Sequence, residues 1–232
     1  MMPKIPSIVT TNLVLNLDAG NTSSYPGSGT TWTDISGNSN NGTLTNGPTF
    51  NSANGGSIVF DGTNDYVNIP NATSLNPVNN FTLSCWVNVT SLASPFLGII
   101  DKYTFTTLNA GYNIDIPNGG GGKPTSRFRF INSTNTYYEA IATNTLSIGS
   151  WYNVVGVYDS SNIYLYVNNS LESTTACTGN NTSSSDPIRL AGDGISTNYT
   201  PCKISNTMLY NRALSVSEIS QNFNALKNRY GL

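Results

Sequence analysis

The 232-residue chain predicts an all-β fold: a two-sheet antiparallel β-sandwich with one short C-terminal helix. Three observations carry that prediction. Short segments of alternating apolar and polar residues recur along the chain, bounded by Gly, Asn, Asp and Pro. Helical periodicity occurs in one place only, near the C-terminus. The run from Leu146 to Ser173 reads as two strands and two tight turns. Trp151, Val155 and Val157 share one face of the first strand, and Asp159-Ser160-Ser161-Asn162 is turn chemistry. Ile163, Leu165 and Val167 share one face of the return strand, with Tyr164 and Tyr166 opposite, and Asn168-Asn169 turns into Leu171.

Met1 to Thr11 reads as an irregular arm, and residues 12–232 as one domain. Leu13, Leu15 and Leu17 share a face and open the first strand. Asp18 to Asn41 is a polar, Gly- and Pro-interrupted loop with room for a short strand at Trp32. Segments 42–44, 58–60 and 66–69 are short strands. Phe81 to Val89 is a longer one, with Phe81, Leu83, Cys85, Val87 and Val89 opposite Trp86. Segments 96–102, 112–116, 127–131 and 138–142 continue the series, and Gly119 to Gly122 is a flexible turn or surface tip. Arg127 and Arg129 alternate with Phe128 and Phe130, as expected of a half-buried strand. Segments 188–191 and 204–210 are the last strands. Ser215 and Glu218 form a capping box. Ile219, Phe223, Leu226 and Tyr230 follow on one face, so the helix spans about 215–229, with Gly231 as C-cap. Many short strands with regular turn signals indicate a jelly roll.

Composition excludes several functions. Only 9% of residues are charged and the net charge is -2 with no basic cluster, which argues against binding to nucleic-acid phosphates. No stretch is apolar and long enough for membrane insertion. Residues 1–12 lack the apolar core of a secretory signal. There is no histidine, which removes the commonest general base and zinc ligand. The cysteines Cys85, Cys177 and Cys202 have no metal spacing. Cys85 reads as a buried thiol, and Cys177 and Cys202 flank one loop and could pair.

The hairpin contains Gly149-Ser150-Trp151, Val154, Tyr158-Asp159 and Leu165-Tyr166-Val167-Asn168. Tyr210-Asn211-Arg212-Ala213-Leu214-Ser215 follows with Glu218-Ile219. Together with Val59-Phe60-Asp61-Gly62, Tyr66-Val67, Phe81-Thr82-Leu83 and Trp86-Val87, these resemble laminin-G-like, concanavalin A-like jelly-roll domains from about residue 12 to about residue 225. Asn168-Asn169 stands where the pattern has Asp-Gly.

Asp34 to Asn40 and Asp61 to Asp65 are loops rich in oxygen donors, as a calcium ion requires. The resemblance implies a structural calcium, with Asp18, Asp34, Asp61 and Asn64 as the expected ligands. Capping of turns by the same side chains is the ordinary alternative, and Cys202 to Asn206 lacks the aspartate that many relatives carry. The family fold also hosts glycosidases, which need two facing carboxyl groups. The only glutamates are Glu139, Glu172 and Glu218, in no such arrangement, so no enzymatic activity is expected. Carbohydrate binding is the sharper expectation. Trp32 and Tyr199, in polar loops, are the ligand-binding candidates. Tyr137, Tyr138, Tyr164 and Tyr166 are further aromatic groups, the last two read as packing.

The opening Leu13 to Leu44 looks like laminin-G-like domains of bacteriophage structural proteins. That resemblance implies a non-catalytic capsid-decoration or fibre-associated protein on the virion surface. Its expected partners are other virion proteins, cell-surface or mucosal glycans, and further copies of itself. The alternative is a lectin domain of a bacterial surface protein, extracellular or on the cell surface.

Overall fold

The computed structural model describes residues 6–92, 96–104, 110–117, 124–193 and 198–232. Gly119 to Gly122 lie outside these. The strands are β1 (Leu13–Asp18), β2 (Thr31–Trp32), β3 (Gly42–Thr45), β4 (Thr49–Asn51), β5 (Ser57–Phe60), β6 (Tyr66–Ile69), β7 (Phe81–Val89) and β8 (Phe96–Thr104). They continue as β9 (Ala110–Pro117), β10 (Thr125–Ile131), β11 (Tyr137–Thr145), β12 (Trp151–Tyr158), β13 (Asn162–Val167), β14 (Ser170–Ala176), β15 (Ile188–Leu190) and β16 (Cys202–Tyr210). Helix α1 (Val216–Leu226) runs into a 3-10 turn, Lys227–Tyr230.

Two antiparallel sheets of eight strands face each other. The first runs β14-β13-β12-β7-β16-β5-β4, with β1 also on β16, and the second runs β11-β10-β9-β8-β15-β6-β3-β2. Strand β16 divides one edge between two partners. Cys202 to Ile204 pair with β5, and Asn206 to Tyr210 pair with β1, across a register shift at Ser205. The hairpin read from the sequence is β12–β13, with Val154 opposite Val167 and Tyr158 opposite Ile163.

Alternation decides what fills the interlayer core. Leu15, Leu17, Leu83, Cys85, Val87, Ile163 and Leu165 of the first sheet meet Val67, Ile114, Phe128, Phe130 and Leu190 of the second. Gly156 is what lets Phe128 approach the facing sheet, because a Cβ there would lie 2.3 Å from its ring. The three cysteines are buried and free, so Cys177 and Cys202 do not pair. Burial pushes the Cys85 thiol up to about 12 and the Cys177 thiol to about 11.

The first sheet is apolar on its outer face too, which explains why all nine residues of β7 are buried. Trp86, Trp151, Val155, Val157, Met208 and Tyr210 form a second core with Ile219, Leu226 and Tyr230. The Trp86 ring stacks on Tyr230 at 4.1 Å and on Phe223 at 5.6 Å. Tyr164 and Tyr166 belong to this layer, as packing groups. Ser215 caps α1 in the expected capping box. A bidentate pair with Arg212 (2.8 and 2.7 Å) holds the Glu218 carboxyl down at about 2. Gly231 takes the left-handed conformation after the 3-10 turn. The described part of the irregular arm, from residue 6 onward, docks on the same layer. The Val9 N–H donates to Asn222 Oδ1 at 2.8 Å, and its carbonyl accepts from the Tyr210 hydroxyl at 2.8 Å.

Candidate ligand-binding face

The structure scatters the residues singled out by sequence. Trp32 is fully buried in the interlayer core. The two-residue strand β2 turns its ring inward, so it offers no surface to a ligand, and the expectation of a ligand role is corrected. Asp34 completes the open edge of β1: its Oδ1 accepts the Asn16 and Ser36 N–H groups and its Oδ2 the Asn40 N–H, all at 2.8–2.9 Å. Asp18 is gripped by Arg229 at 2.7 and 3.1 Å. Asp61 caps its own loop by accepting the Thr63 N–H at 2.7 Å, and the Asn64 carbonyl accepts from Asn46. Among the described residues no three acidic or cysteine groups converge on one point. The four expected calcium ligands therefore do not form one coordination shell, and the residues present do not fit a shared ion.

Tyr199 is half-buried, and its ring stacks on Tyr66 at 6.1 Å. Two close backbone approaches bring it there. A Cβ on Gly98 would lie 3.0 Å from the Gly192 carbonyl, so β8 and the segment after β15 touch main chain to main chain. The Thr200 hydroxyl then donates to the Gly98 carbonyl at 2.8 Å. Tyr199 thereby joins the outer face of the second sheet.

That face was not singled out in the sequence. Where Tyr112, Ile114, Phe128, Phe130, Ile100 and Leu190 point into the core, the alternate residues Asn113, Asp115, Arg127, Arg129, Asp101 and Arg189 point away from it. Asp115 is fully buried beneath two arginines. Arg127 binds it bidentately at 2.9 Å through Nε and Nη2, and Arg129 at 3.0 Å. Asn113 Nδ2 donates to the same carboxylate at 3.0 Å. Arg127 also reaches Glu139 at 3.2 Å. Tyr137, 47% exposed, lies at the far edge with its ring 6.1 Å from Tyr103, whereas Tyr138 turns inward against Phe130.

Asp101 and Arg189 are direct cross-strand partners in this face, which sets their Cβ atoms roughly 5 Å apart. The Arg189 guanidinium lies 4.7 Å over the Tyr66 ring, and its Nη1 donates to the Asp193 carbonyl at 3.3 Å. Its Nε is buried without a hydrogen-bond partner, as is Asp101 Oδ2. Burial pushes the Asp101 carboxyl up to about 7, with Asp193 and Asp115 adding to the rise. A carboxyl raised this far can keep its proton toward neutral pH, and in that form it donates as well as accepts. The sequence signal was the polar half of each alternating strand, but β8, β9 and β10, consecutive in the chain, are joined on this face by Tyr66 of β6 and Arg189 of β15, which lie far from them in sequence.

Residues 61–220 match the profile of the concanavalin A-like lectin/glucanases superfamily, laminin G type 3. No curated protein sequence matches the chain. The binding domain of a paraclostridial mosquitocidal protein superimposes with a TM-score of 0.75 at 18% identity, over 95% of this chain and 55% of that one. The ligand binding domain of botulinum neurotoxin serotype D, in complex with N-acetylneuraminic acid, gives 0.71 at 15% identity, over 93% and 51%. A Trypanosoma rangeli sialidase in complex with sialic acid gives 0.69 at 16% identity, over 94% and 33%. The chain spans about half the length of the two toxin domains and a third of the sialidase.

Proposed function

Since the chain belongs to the concanavalin A-like lectin/glucanases superfamily, we propose that it is a non-catalytic glycan-binding module whose ligand lies on the outer face of the second sheet. One observation carries the reading. Asp101 Oδ2 and Arg189 Nε are buried, unpartnered neighbours beside the stacked pair Tyr66 and Tyr199. A sugar hydroxyl is donor and acceptor at once, so one hydroxyl can accept from Arg189 and donate to Asp101, while a ring face lies on Tyr199. The N-acetylneuraminic acid and sialic acid complexes of the similar structures make glycans the class to screen.

The carboxylates argue against hydrolysis. A glycosidase needs a second, available carboxylate facing its acid. Asp101 has an acid's raised pKa, but its acidic neighbours are engaged: Asp115 accepts from Arg127, Arg129 and Asn113, and Asp193 accepts from Asn198 Nδ2 at 3.0 Å. A glycan array followed by calorimetry tests the proposal. Binding of one sugar class should fall about tenfold in Tyr199→Ala and in Arg189→Ala, with thermal stability retained. No binding across the array, or binding untouched by both variants, overturns it; turnover of the bound glycan overturns the non-catalytic part. The bacteriophage setting, with virion proteins and further copies as partners, rests on the resemblance of the opening segment, and mass spectrometry of purified particles tests it.

A further inference from the structure

A separate cleft lies on the opposite sheet, where α1 and its 3-10 turn end. Trp151, Asn88 and Lys203 are successive cross-strand partners on β12, β7 and β16. Beyond them the outer face is roofed by Tyr230, whose ring lies 4.9 Å from Trp151. The roof stops short of the row and leaves a cleft of about 380 Å³, with Ser150 and Asn54 at its rim.

Three features of this cleft point to a ligand. Asn88 is 4% exposed, and its Oδ1 has no hydrogen-bond partner. The amide cannot simply be turned over, because its Nδ2 donates to the Gly149 carbonyl at 2.7 Å and a flip would set oxygen against oxygen. A buried carbonyl-type acceptor therefore sits in the wall of the cleft in need of a donor. Lys203 is the one charged side chain among the described residues lining the cleft, whose lining also includes Leu232 at the chain end, and Lys203 makes no ion pair among the described residues, the chain end included. Trp151 and Tyr230 supply an apolar wall. An ammonium without an ion pair, a buried acceptor and an aromatic wall within one small volume suit a small anion that also carries hydroxyl or amide donors.

We infer that this cleft binds a carboxylated sugar: its carboxylate pairs with Lys203, a hydroxyl or amide N–H donates to Asn88 Oδ1, and its apolar face lies on Trp151. The site is independent of the face on the second sheet and survives the failure of that reading.

The test is a titration of the isotope-labelled full chain by NMR with N-acetylneuraminic acid, with glucuronate, with methyl glucoside and with acetate. The two sugar acids should shift the Asn88 side-chain amide, the Trp151 indole and the backbone of Ser150 and Lys203 at millimolar concentrations. Lys203→Ala, a change at a half-exposed position, should weaken that response about tenfold. Methyl glucoside lacks the charge and acetate lacks the donors, so each should bind at least several-fold more weakly. Shifts at Tyr66, Arg189 and Tyr199 report the other face separately in the same spectra. The inference is overturned if neither sugar acid shifts these signals by roughly 20 mM, if the response survives Lys203→Ala, or if acetate or methyl glucoside matches the sugar acids.

Discussion

Asp101→Asn isolates the cost of burying one carboxyl group. The folded protein holds this carboxyl near 7, raised from 3.8 by burial. The folded state therefore keeps a proton that the unfolded chain releases. The stability this contributes is complete below 3.8 and is lost as the pH rises through 7. Between about pH 5 and about pH 8, roughly two pH units of that window are crossed at about 1.4 kcal/mol each, or about 3 kcal/mol. An asparagine has nothing to titrate. Whatever the amide costs through its altered hydrogen bonding is the same at both pH values and cancels. Urea unfolding of the parent and of Asp101→Asn at both pH values should show the difference between them moving by about 3 kcal/mol in favour of the amide at the higher pH. If the two pH profiles run parallel to within about 0.5 kcal/mol, burial does not raise this carboxyl and the electrostatic description of the face is wrong.

Two other substitutions probe the scaffold. Gly156→Ala drives a Cβ to 2.3 Å from the Phe128 ring between the layers and should cost about 1–3 kcal/mol in the same urea assay, whereas Ser133→Ala in an exposed turn should be near neutral. Lys102→Met should cost about 3 kcal/mol. The ammonium is buried and donates to Asn71 Oδ1 at 2.8 Å and to the Ser184 and Asp186 carbonyls at 2.9 and 2.6 Å. Hydrogen exchange in the variant should rise first around residues 182–188, the segment that the lysine holds down.

Much of the fold was legible because alternation is local. Trp151 with Val155 and Val157, Leu165 against Tyr166 and Trp86 against Cys85 each declare a face within a few residues, and the structure keeps every one of these assignments. The capping box at Ser215 was readable for the same reason. Strand β4 was missed because Thr49–Asn51 is too short to show a period. The reading of Trp32 failed because a two-residue strand inside a polar loop sets the direction of a large ring. The candidate face failed differently. Arg127 and Arg129 read as ordinary outward residues of a strand, and Asp101, Asp115 and Arg189 belong to three other strands that only the completed sheet makes neighbours. The apparent concentration of aspartates in the first third proved to be loop chemistry, each carboxylate satisfied by nearby main chain or by Arg229.

The docking of Val9 onto Asn222 gives the molecule a back and a front. Val9 and the final helix lie together behind the first sheet, so the chain passes along the rear face both where it enters β1 and where it leaves β16. The arginine- and tyrosine-bearing surface lies on the opposite side of the two sheets, so neither the entering segment nor the helix can cover it.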